Sequence, residues 1–218
     1  MSWRRALAAL GFIAAIGVSA ETRAQTMPVG VVKDVHGSVS VARGGSTRPL
    51  RADDEVFAGD RITSSARATI AISLGNASLT LYGPGAVTIT SDTARPTLAL
   101  DTGMLSYSST DVTHVIRTPN AIVTPEPNVH ITTAAYIRVE DRVGHSEQPN
   151  DTTSICASDG TLVAHALGGS RITLRSGQCV TIRRRLIGPV FPGVPAPWFR
   201  DHIDPTVGDA GGRMHPPS

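Results

Sequence analysis

The sequence predicts an all-β chain: a β-solenoid-like stack of short strands, with a β-sandwich as the alternative. Apolar and polar residues alternate over short runs, and turn-forming residues recur about every eight to twelve positions. Aromatic residues are only 4% of the 218, so Val, Ile, Leu and Ala must fill the interior. A narrow core of small aliphatic rungs fits that inventory better than a wide interior packed around Trp.

The first segment reads as an address. Trp3-Arg4-Arg5 precedes an uncharged apolar run from Ala6 to Ala20 that ends in small residues. A basic start, a short apolar stretch and small residues at the end are the parts of a secretory signal peptide, residues 1–24, with cleavage after Ala20 or after Ala24. A spanning helix needs about 20 apolar residues, more than this run supplies. The formal charge of +2 belongs to this segment. Residues 1–24 hold Arg4, Arg5, Arg23 and Glu21, so the 20 basic and 18 acidic residues fall to 17 of each. A neutral mature chain removes the electrostatic case for a nucleic-acid partner. No later stretch reaches spanning length, so no transmembrane segment is expected in the mature chain, and its place is the periplasm or the exterior.

The β domain is expected over residues 29–185. Val39 and Val41 alternate with Ser38 and Ser40, and Ala68, Ile70, Ile72 and Leu74 share one face of the next clear strand. Leu79 with Leu81, Val87 with Ile89, Leu98 with Leu100, and Ile172 with Leu174 repeat the period of two. Between them stand Gly44-Gly45, Gly75-Asn76, Gly83-Pro84-Gly85, Asp101-Thr102-Gly103, Asp159-Gly160 and Gly168-Gly169, read as turns. Residues 144–153 are polar and are expected to form an exposed loop. Residues 186–218 are rich in Pro and Gly and read as an extended or disordered tail. Within the tail, Trp198 and Phe199 either pack back on the domain or anchor a partner.

Cys156 and Cys179 are the only cysteines. In an exported chain the expectation is a disulfide rather than two thiols. It would close a loop of roughly 23 residues and stabilise by about 3 kcal/mol through lost chain entropy. The alternative, a Cys nucleophile assisted by His165, finds no further catalytic residue nearby.

Three segments taken in order resemble the periplasmic FecR-type domain, named for the ferric-citrate sensing regulator of bacteria. They are GSVSVARGG (37–45), RPLRADDEVFAGDRITSS (48–65) and RATIAISLGNASLTLYGPG (67–85). VIRTPNAIV (115–123) is similar to that family's Thr-Pro strand, and DGTLVAHALGGSRITLRSGQCVTI (159–182) to its closing strands. Departures exist: Gly75-Asn76-Ala77-Ser78 stands where the family usually has Asp-Gly-Ser, and PEPN (125–128) stands before any Gly-Thr pair. The sensing regulators place a sigma-factor-contacting segment and a membrane span before this domain. Here only five residues precede the apolar run. The resemblance therefore implies a free-standing exported module.

Candidate chemistry is sparse. The histidines, His114 and His130 among them, show no HxH or HExxH spacing and no zinc-ligand pairing with Cys. Asp53, Asp54, Glu55 and Asp60 form the densest acidic cluster but lack a calcium-loop spacing, so they read as turn residues. No nucleophile elbow or phosphate loop occurs. Arg183, Arg184 and Arg185 form a basic run at the end of the domain, a candidate partner contact together with Trp198 and Phe199. No cofactor is expected. The leading expectation is a non-enzymatic binding or scaffolding module whose partner is a protein or envelope polymer, with sheet edges offering a contact mode. An accessory in iron-linked cell-surface signalling comes second, and an envelope hydrolase third.

Overall fold

The computed structural model describes residues 27–91, 96–110, 114–126, 133–140 and 152–193, and these are strands and turns without a helix. The expectation of an all-β chain holds. The signal-peptide reading, His130 and the pair Trp198-Phe199 lie outside the described residues.

The strands in chain order are β1 (Pro28–His36), β2 (Val39–Arg43), β3 (Ser46–Pro49), β4 (Glu55–Phe57), β5 (Arg61–Ser64) and β6 (Thr69–Leu74). Then come two long ones, β7 (Ala77–Ser91) and β8 (Pro96–Ser109), followed by β9 (Val115–Arg117), β10 (Ala121–Pro125) and β11 (Thr133–Glu140). The chain continues with β12 (Thr152–Asp159), β13 (Thr161–Ala166), β14 (Arg171–Arg175), β15 (Gln178–Arg183), β16 (Leu186–Ile187) and β17 (Phe191–Pro192). Period-two alternation becomes alternating burial: in β6, Ile70, Ile72 and Leu74 are buried, whereas Thr69, Ala71 and Ser73 are half-exposed.

All pairings are antiparallel except β8 with β9, and they fall into two series that meet in the β7–β8 hairpin. One series runs from β3 through β2, β5, the second half of β7, the first half of β8, β9, β10 and β13 to β14. The other runs from β4 and β6, both paired with β1, through the first half of β7, the second half of β8, β11 and β12 to β15. On the far side of β15 lie β16 and β17. Both series feed one buried cluster, with Ile62, Val87, Leu98 and Val123 from the first and Ile72, Leu81, Ile137 and Val180 from the second. Tyr107 is the one aromatic side chain in it, so the core is aliphatic as the composition required.

Two expected turns are not turns. Gly83-Pro84-Gly85 lies inside β7 and Asp101-Thr102-Gly103 inside β8, where the register slips and the hairpin passes from one series to the other. The glycines serve close approach rather than chain reversal. A Cβ on Gly103 would lie 2.5 Å from the Gly85 Cα and 2.7 Å from the Pro84 carbonyl oxygen, and one on Gly83 would collide with the Ser65 carbonyl oxygen. Bulges of this kind bend a strand and re-aim its two halves.

Two boundaries also move. The polar run read as an exposed loop ends within β12, where Thr152 and Thr153 are buried. Residues 186–193, assigned by composition to the tail, fold back beside β15: Ile187 pairs with Ile182 and Phe191 with Cys179. Their Pro and Gly content signals an irregular path, yet an unpaired β15 edge supplied backbone partners.

Candidate binding site

Two members of the acidic cluster, Asp54 and Asp60, are held in ion pairs. Asp60 is fully buried. Arg43 Nε donates to its Oδ1 (2.6 Å), Arg43 Nη2 to its Oδ2 (2.7 Å), and the Phe57 amide to Oδ2 (2.9 Å). The same guanidinium lies 4.1 Å over the Phe57 ring and donates to the Glu55 carbonyl oxygen. A buried carboxylate is tolerable only when bound in this way. The hydrogen bond to Asp60 holds the Arg43 guanidinium above its ordinary pKa, against the opposing effect of its partial burial. Asp54 accepts from Arg48 Nη1 (2.7 Å) and from the Arg51 amide (2.9 Å), and those donors, Arg48 first, hold its carboxyl below the usual value. A depressed carboxyl pKa stabilises the fold above the ordinary carboxylate range, and that contribution is lost as pH falls through the lowered value. No group of three or more His, Cys, Asp or Glu placed to hold a metal ion occurs among the described residues.

His114 is buried just before β9, its Nδ1 3.2 Å from the Tyr107 hydroxyl and its ring edge-on to the Tyr107 ring. This pair gives the only core aromatic hydroxyl a partner, as burial demands. His165 is exposed on β13, opposite Arg171 on β14. Cys156 and Cys179 face each other across β12 and β15 and form a disulfide, so neither thiol is available to a His-assisted reaction. Gly193 closes over the bond: a Cβ there would collide with the Cys179 Sγ.

Arg183 ends β15, and Arg184 and Arg185 occupy the turn between β15 and β16. Arg183 pairs with Leu186, so Arg184 and Arg185 form a two-residue loop, with φ of 49° and 65°. The β2–β3 hairpin provides the comparison: Arg43 pairs with Ser46 around Gly44 and Gly45, with φ of 54° and 81°. A two-residue hairpin loop with both φ positive normally takes Asn-Gly or Gly-Gly, because a Cβ crowds the backbone there. The chain uses glycine at one such turn and two arginines at the other.

What lies around this turn was not read from the sequence. Gly168, in the β13–β14 turn, packs so closely that a Cβ would sit 2.5 Å from the Arg185 carbonyl oxygen. That contact brings Leu167 and Arg171 to the same end. Among the described residues the large exposed apolar side chains are Met27, Leu167 (44%), Leu186 (69%), Val190 (39%) and Phe191 (44%). Four of these five thus belong to the segment that carries the arginines. A groove of 710 Å³ lies under the arch from β15 to Pro189, lined by Thr181, Arg183, Arg184, Leu186, Ile187 and Pro189. From Gly160 to Gly193 the sequence has five arginines and no carboxylate. A count of acidic residues by segment would have exposed this asymmetry, which the near balance of 20 basic and 18 acidic residues over the whole sequence conceals.

Three edge strands, β3, β14 and β17, are poor templates for strand addition. β3 ends in Pro49, β17 in Pro192, and β14 carries Arg171 and Arg175, the devices that keep edges from pairing. No helix among the described residues is long and apolar enough to cross a membrane. No family model matches the chain, and no curated protein matches its sequence.

Proposed function

We propose that the chain is an exported, non-enzymatic FecR-like binding or scaffolding module of the bacterial envelope. The observation that carries this reading is the end of the domain where Arg183, Arg184 and Arg185 stand beside exposed Leu167 and Leu186, with exposed Phe191 farther along β15. Exposed apolar side chains gathered with one sign of charge mark contact surfaces on soluble domains. The side chains with the most chemical reach are otherwise engaged: Asp60 with Arg43, Asp54 with Arg48, His114 with Tyr107, and Cys156 with Cys179. The disulfide fits an oxidising compartment. Resemblance to the FecR-type domain supports placing the module in the envelope.

The test is cross-linking in intact cells, comparing wild type with a chain in which Arg183, Arg184 and Arg185 are replaced by Gln. Reproducible adducts with one envelope component, weakened in the variant, are expected. Adducts indistinguishable from those of an unrelated exported protein would sink the reading.

A further inference from the structure

We infer that the arginine-tipped end of the domain seats on an anionic lipid surface, holding the module against a membrane without crossing it. This inference rests on the binding-module reading above and names what that end contacts.

Charge complementarity comes first. Arg171, Arg183, Arg184 and Arg185 stand at this end, in a segment without a carboxylate, and Glu140, which the register places two strands from Arg183, is held by Arg138. Among the described residues Arg171, Arg183 and Arg185 enter no ion pair, whereas Arg43, Arg48, Arg61 and Arg138 each hold a carboxylate. Guanidinium groups suit phosphate, whose oxygens they bind in a fork.

Apolar contact comes second, and it selects a bilayer over a soluble anion. Leu186 follows the arginine turn directly, and Phe191 pairs with Cys179, four residues before Arg183 along β15. At about 3.3 Å per residue the two ends of that row lie about 13 Å apart. Basic and apolar groups interleaved over such a strip match the boundary where phosphates meet acyl chains.

Backbone placement comes third. The turn raises two adjacent arginines at its tip in a conformation that asparagine and glycine would adopt with less strain. An extended peptide gains little here, since Pro189 and Pro192 interrupt the β16–β17 edge.

The experiment is cosedimentation of the full exported protein with vesicles of phosphatidylcholine alone and of phosphatidylcholine mixed with phosphatidylglycerol. Two variants accompany it: R183Q/R184N/R185G, whose turn residues favour the observed backbone, and L186S/F191S. Any N-terminal apolar segment is common to all three chains and acts equally on neutral vesicles. Binding to the anionic vesicles that fades with salt is expected. Loss of three surface arginines should weaken it about a hundred-fold, and L186S/F191S should weaken it as well. Equal binding to both vesicle types, or an arginine variant that binds as wild type does, would overturn the inference. Failure with vesicles alongside arginine-dependent protein adducts in cells would overturn the lipid contact and leave the binding module standing. Those adducts would then identify an acidic protein as the occupant of this end.

Discussion

Replacing Arg184 and Arg185 by Asn and Gly should make the protein more stable. Both arginines sit at positive φ, 49° and 65°, in a two-residue hairpin loop. A side chain other than Gly in that region costs about 1 kcal/mol or somewhat more per position. Asn tolerates it by local hydrogen bonding and Gly has no Cβ to crowd, so the gross relief is about 2 kcal/mol for the pair. Gly also loosens the unfolded chain, which takes back about 0.5–1 kcal/mol. The net expectation is a gain of about 1–1.5 kcal/mol. With a urea slope of about 2 kcal/mol per molar, the unfolding midpoint should rise by about 0.5–0.7 M. Equilibrium urea denaturation of the oxidised protein, followed by far-ultraviolet circular dichroism, measures it. R184A/R185A separates backbone from charge, because it removes both guanidinium groups yet keeps two Cβ atoms at positive φ. That control should show little gain. A midpoint for R184N/R185G at or below wild type would refute the argument, since the turn would then be held by the arginine side chains themselves.

Three further outcomes follow from the same geometry. Removing the disulfide as C156A/C179A should cost about 3 kcal/mol, the chain-entropy value for a loop of this size, read as a lower urea midpoint. Gly103→Ala should cost more than about 3 kcal/mol by forcing apart the β7 and β8 backbones, whereas Gly45→Ala, with open space around it but φ of 81°, should cost only about 1 kcal/mol. A similar loss for the two in calorimetry would count against the crossing as described. Arg43→Ala should destabilise by about 3–5 kcal/mol by leaving the buried Asp60 carboxylate without its cation. Thermal melts of Arg43→Ala and R43A/D60N should show the double variant as the more stable; the reverse order would mean that Asp60 does not depend on Arg43.

Much of this molecule was legible locally. Alternation placed β2, β6 and the apolar halves of β7 and β8, because a strand's two faces impose a period of two whatever it packs against. Gly44-Gly45 and Gly75-Asn76 marked hairpins, since positive φ is a local demand, and the two cysteines, the only ones in the sequence, are joined as expected. Other features needed the whole fold. Nothing near Asp60 in sequence names Arg43, which reaches it from 17 positions away across the sheet. Nothing local distinguishes a glycine that turns the chain from Gly83, Gly85 or Gly103, which let two strands touch. Arginine at a left-handed turn is invisible to propensity, because propensity expects Asn or Gly there. Local chemistry was therefore enough to say that the chain forms strands, which residues face inward, and which cysteines pair. Folding settles where β7 and β8 bend, which cation holds the buried carboxylate, and that Leu167 and Leu186 stand beside the arginines with Phe191 farther along β15. The physical reason is that dihedral preference and side-chain period act over a few residues, whereas close approach, burial and charge pairing belong to neighbours that the chain brings together only when folded.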